Sequence, residues 1–174
     1  MKKFICFFCV ALFSHTVSDI KKNYIMSNIN RSIAGLAGSL ALTGVHQLFK
    51  KYIVGAPNLD QVGEEAVKTS LDKIDVDLPH EDQVFAAAMG GNILSNAVLF
   101  STLATSTTSS EMLAKTLGTG LLGAAGTIGL ADQVLDHNKA TNTSQKKWMT
   151  TGYYLFGALV SIGVYNWLEE RRHK

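Results

Sequence analysis

Over its longest stretches this 174-residue chain does without charge. No Asp, Glu, Lys or Arg occurs in 83–110 or in 148–168, and two further neutral runs cover 32–49 and 116–131. A water-facing amphipathic helix carries a charge every turn or two, so these runs argue against an ordinary soluble surface. Cysteine is confined to Cys6 and Cys9, which excludes a disulfide framework for the rest of the chain. Read as a C-x-x-C metal pair, the two lack the second pair of ligands that zinc requires, and they sit in a Phe/Ile-rich stretch as apolar filler. A strong basic excess is also missing. The net charge is +2, and no basic patch is interleaved with aromatics, so nucleic acid is not an expected partner. There is no H-E-x-x-H helix, no G-x-x-x-x-G-K-[ST] loop and no defensible Ser/His/Asp arrangement, so no metal, cofactor or catalytic residue is assigned.

What is present is apolar residue in long blocks. The chain is 47% hydrophobic, yet its mean hydropathy is only +0.13, because the charged 17% cluster between the neutral runs. About 20 apolar residues at about 1.5 Å each cross a hydrocarbon core, so the runs predict four transmembrane helices near 33–54, 82–104, 112–134 and 148–168. Trp148 and Trp167 bracket the last of these and read as interface anchors. Lys50 and Lys51 end the first span, where long side chains reach the headgroups while their stems stay apolar. Pro57 and Asn58 are expected to break it.

Between spans one and two, Leu59, Val62, Ala66, Val67, Leu71 and Ile74 recur at helical spacing. This predicts an amphipathic helix over 59–74 that lies on the membrane surface or packs on the mouth of the bundle. Asn58 with Gln61 offers it a capping box. Pro79, Glu81 and Asp82 suit the start of span two. The fold class expected is therefore all-α: an integral membrane bundle of four transmembrane helices with an amphipathic helix between the first two.

Residues 1–25 stand apart. Lys2 and Lys3 followed by a short apolar core resemble a secretory signal, while Met26 opens a second plausible start that runs straight into span one. Both readings, signal-like segment and mis-assigned gene start, leave 26–174 as the single membrane domain.

Helices in lipid associate through close packing and hydrogen bonds, so small residues mark their contacts. Gly120, Gly123 and Gly126 of span three are expected to be packing positions, as are Gly35, Gly38, Ser39, Ala41 and Gly44 of span one and Gly157 and Ser161 of span four. Polar residues inside the spans form the other signal. His46 and Gln47 in span one and Asn92, Ser95 and Asn96 in span two lie at similar depth by residue count, and Asn92 and Asn96 share a helix face. This predicts an intramembrane polar cluster in which His46 faces Asn92 or Asn96. It reads either as interhelical hydrogen bonding or as a proton, ion or ligand site. Weaker candidates are His80-Glu81-Asp82 and the group Asp132, Asp136, His137, each more readily explained as solvated helix-end residues.

The stretches GLAGSLALTGVHQLFKK, APNLDQVG and GGNILSNAVLFSTL resemble short bacterial multi-span membrane proteins of uncharacterised function. The resemblance covers about 33–103, implies a multi-pass protein of the bacterial inner membrane, and draws attention to His46, Asp60, Asn92 and Asn96 without giving any of them a role. Two function classes follow. One is a non-enzymatic membrane component or complex subunit whose partners are the lipid bilayer and a second copy or another membrane protein. The other is a small oligomeric transporter, channel or membrane enzyme that uses the cluster around His46. A polar cavity at His46 favours the second class, and a dry crossing favours the first.

Overall fold

The computed structural model describes the backbone of residues 2–73, 80–103, 109–135 and 140–172, and side chains from residue 27 onward within those ranges, except at 109. Ile74, Pro79, Asp136, His137 and most of the Ser/Thr run 105–110 lie outside the described residues. The described chain forms five α-helices and no strand: α1 (Lys2–Tyr52), α2 (Leu59–Asp72), α3 (Glu81–Ser101), α4 (Ser109–Val134) and α5 (Ser144–Arg172). The backbone of 2–26 continues the helix of span one rather than forming a separate element.

Two stretches, Ser27–Tyr52 and Glu81–Ser101, are long and apolar enough to cross a membrane. Of the four spans expected from charge-free runs, those on α1 and α3 meet that measure. α4 and α5 have the length, at 26 and 29 residues, but fall short in hydropathy. The reason is compositional: glycine, threonine, serine and tyrosine carry no charge yet add little apolar character, so a neutral run overstates hydrophobicity.

α1 and α5 run antiparallel in a constant register. Asn30 bonds Glu169 at 2.8 Å, Ala34 packs with Tyr165, Gly38 meets Ser161, and the His46 ring lies 5.8 Å from that of Tyr153. Equal steps in opposite directions keep the two helices in contact over this whole length. Small residues make it so close. A Cβ on Gly38 would stand 2.5 Å from the Gly157 carbonyl oxygen and 2.8 Å from Ser161 Cβ. One on Gly35 would collide with the Ala97 carbonyl oxygen of α3. Phe100, fully buried, fills the junction of α1, α3 and α5. Ser39 Oγ donates to the Ile93 carbonyl at 2.7 Å, tying α1 to α3.

α5 in turn packs on α4, whereas α3 and α4 touch only lightly. Gly120 lies against Leu155, and Gly123 against the Tyr154 ring and Leu99. Gly126 faces open space, so the packing expectation fails there, as it does at Gly44 of α1: each position turns away from the neighbouring helices. The side-by-side order is thus α3, α1, α5, α4, with a gap between the outer two. α2 bridges that gap at the end of the bundle where α1 stops. Val62 packs with Ala131 of α4 and Ala140, while Gly63 admits Asn92 of α3, whose Nδ2 sits 2.6 Å from where a Cβ would be. Of the two placements expected for α2, packing on the bundle mouth is the one seen.

The turn between α1 and α2 departs from expectation. α1 ends at Tyr52, before Pro57, and the reversal uses Gly55 at φ +86, a conformation glycine adopts without a Cβ clash. The capping box does not form: Asn58 makes no side-chain cap bond, and its buried Oδ1 has no partner among the described residues.

Candidate functional site: a polar cluster at the mouth of a helix wedge

The C-terminal turns of α1 put His46, Gln47 and Lys50 on one helical face, because residues three and four apart are neighbours there. The chain then doubles back, so Asp60 in the first turn of α2 comes down on that face. Asp60 is buried, and its carboxylate accepts from Gln47 Nε2 at 2.9 and 3.1 Å and from Lys50 Nζ at 2.6 Å. The His46 Nδ1 atom lies 3.7 Å away, and His46 Nε2 is 3.1 Å from the Pro57 carbonyl oxygen. A carboxylate at a helix N-terminus is further favoured by the helix dipole. Asp60 therefore gathers three α1 side chains and pins the start of α2 to the end of α1. The His46 ring is closed in on its other side by Tyr153, which also meets Phe49 edge-on at 5.6 Å.

This arrangement corrects the expected pairing of His46 with Asn92 or Asn96. Both asparagines share one face of α3, but His46 Nε2 meets the Pro57 carbonyl, while its Nδ1 lies near Asp60 beyond hydrogen-bond distance. Asn96 instead lies near Tyr154, whose hydroxyl also hydrogen-bonds Thr127. Ser95 leaves the group altogether: it is exposed and donates to the Asn92 backbone carbonyl at 3.2 Å. Lys50, read from the sequence as a headgroup anchor, has its ammonium paired with Asp60. Sequence spacing carried no direct sign of this, because the pair depends on how the 53–58 turn folds.

His46, Asn92 and Asn96 nonetheless meet at one place. They border a cleft of about 360 Å³ between α2 and the α1, α3, α4 and α5 walls, together with Asp60, Thr127 and Tyr154. Trp148 and Trp167 stand at opposite ends of α5, 75% and 50% exposed, the latter under the Arg171 guanidinium at 4.0 Å. His80, Glu81 and Asp82 are all exposed at the start of α3, and among the described residues no group of three His, Cys, Asp or Glu side chains is placed to hold a metal.

No protein family, curated protein or solved structure matches this chain.

Proposed function

We propose that this chain is a multi-pass integral membrane protein, a four-helix bundle with α2 wedged into one mouth, acting as a non-enzymatic membrane component or complex subunit. The observation that carries this reading is the inside-out distribution of side chains. Leu36, Leu40, Leu94, Leu121, Leu122 and Leu159, from all four long helices, are exposed, while Ser39, His46, Asn96, Thr116 and Ser161 are buried. In water such a surface is an aggregation hazard; in lipid it is the expected one. Trp148 and Trp167 are about 28 Å apart along α5 at about 1.5 Å per residue, close to the thickness of a hydrocarbon core of about 30 Å. α5 and α4, the two helices of lower hydropathy, enter as partners, α5 packed on α1 and α4 on α5, rather than as spans that insert on their own apolarity.

Alkaline carbonate washing of membranes tests the reading directly: the chain stays in the pellet if it is integral. Single cysteines at Ser27 and His173, with Cys6 and Cys9 replaced by serine, should label from the same side. Labelling from opposite sides sinks the four-crossing arrangement.

A second reading, a binding or transport protein that uses the region around His46, is favoured by the cleft. A bundle held only for structural ends needs no space there, yet five helices leave one that is bordered by amides, hydroxyls and an imidazole. The non-enzymatic character of either reading is supported by Asp60, the carboxylate of the site, being already met by Lys50 and Gln47.

A further inference from the structure

α2 is amphipathic over its whole length but buried only at its start. Leu59, Asp60, Val62 and Gly63 are buried; from Glu64 to Asp72 no residue is. The start is held at three points. Asp60 accepts from Gln47 and Lys50, Val62 packs with Ala131 and Ala140, and Gly63 rests on the Asn92 side chain. Beyond it, Ala66, Val67 and Leu71 recur at helical spacing and border the cleft, whereas Glu64, Glu65, Lys68 and Asp72 do not. The apolar side of this half of α2 therefore faces space instead of a packed neighbour. Met89 of α3 and Leu130 of α4 border the same space, in the gap where α3 and α4 hardly touch.

The contacts at the start suit a pivot. Gly63 brings only backbone to Asn92, and what it meets there is a side-chain amide. Gln47 and Lys50 are long side chains that follow the Asp60 carboxylate through a rotation. The turn leading into α2 holds Gly55, with nothing within 4 Å of its Cβ position. Two opposed effects act on the rest of the helix. Tilting it towards α3 and α4 brings Val67 and Leu71 against Met89 and Leu130, and apolar contact favours that. The same tilt covers Asn92, whose side-chain amide makes no hydrogen bond among the described residues, and burying an unpaired amide opposes it. A segment with so few buried contacts moves at little cost.

We infer that α2 is a lid. It pivots on its first turn, and its C-terminal half closes over the cleft between α3 and α4 and covers Asn92. The structure holds the open position. The pivot and the apolar face belong to α2 itself, so the inference stands apart from the membrane reading.

The test measures distances between spin labels by pulsed electron paramagnetic resonance on the full chain, with Cys6 and Cys9 replaced by serine. One label is placed at Ala125, exposed on α4. The other is placed at Gln61 in the first turn of α2 or at Lys68 beyond it, both exposed. The Gln61 pair should give one narrow distance. The Lys68 pair should give two populations, one at the distance in the structure and one displaced by several ångström. Leu71→Asp, which puts a charge on the closing face, should cut the displaced population about tenfold and leave the Gln61 distance as it was. Met89→Trp, which fills the cleft from the side of α3, should do the same. A single Lys68 population at the distance in the structure overturns the inference, as do two populations that neither substitution alters. Broadening at Gln61 as great as at Lys68 also overturns it, because α2 would then be leaving the bundle rather than turning on its first turn.

Discussion

The crossing of α1, α3 and α5 and the wedge under α2 are built on opposite principles. At the crossing, glycines let backbones meet. Gly38 lies against the Gly157 carbonyl, Gly35 against that of Ala97, and the fully buried Phe100 ring fills what remains. Its polar side chains are serines that bond backbone carbonyls, Ser39 to Ile93 and Ser161 to Phe100. At the wedge, one carboxylate organises the contact, side chains rather than backbones meet, and a cleft persists beside them. The contrast teaches where this molecule is able to change. A backbone-to-backbone contact has no rotamers with which to yield, whereas a contact made by long polar side chains opens when one partner is lost.

The sharpest way to break the crossing is Gly38→Leu. The new side chain meets a carbonyl oxygen and Ser161, neither of which is able to rotate away, so a loss of about 3 kcal/mol or more is expected in thermal unfolding in detergent. A variant of unchanged stability would show that α1 and α5 are not packed through this glycine.

At the wedge, Asp60→Asn should cost about 2 kcal/mol. The amide keeps the volume but loses the partner of Lys50, which is partly exposed and recovers some of its hydration. The informative readout is local: hydrogen exchange should rise in α2 and stay low in α1 and α5 at the crossing. Uniform exchange across the chain would mean that the wedge and the crossing unfold as one unit.

The interface of α4 with α5 offers a paired comparison on one helix. Gly123→Leu meets the Tyr154 ring and Leu99, side chains rather than backbone, and is expected to cost about 1–3 kcal/mol. Gly126→Leu points to open space and should stay within about 0.5 kcal/mol of the parent. Equal losses at the two positions would refute the orientation of α4.

The smallest effect is expected at His46→Leu. It removes one hydrogen bond to the Pro57 carbonyl and leaves the Asp60 pairs with Lys50 and Gln47 intact, so about 1 kcal/mol is lost. A loss as large as that of Asp60→Asn would make His46, rather than Asp60, the centre of the cluster.

Much of the plan was legible without coordinates. The neutral runs located α3, α4 and α5 to within a few residues, and helical periodicity placed α2 almost where it lies, because burial against a neighbour leaves a period that survives in the sequence. Gly35, Gly38, Gly157 and Ser161 marked a close crossing, since small residues admit a backbone at that distance, whereas Gly44 of the same run meets nothing. Counting residues for depth also brought His46, Asn92 and Asn96 to the border of one cleft. What depth alone does not carry is direction. Whether His46 turns to Asn92 or to Asp60, whether Gly126 faces α5 or away from it, and whether Lys50 reaches headgroups or a carboxylate all depend on rotation about a helix axis and on the path of a short turn. Those are set by the reversal at Gly55 and by α2 docking into the gap between α3 and α4. The amino-acid order settled the helices and the residues able to meet at each level; tertiary packing chose the partners, because hydrogen bonds and ion pairs form with whichever group the fold brings within about 3 Å.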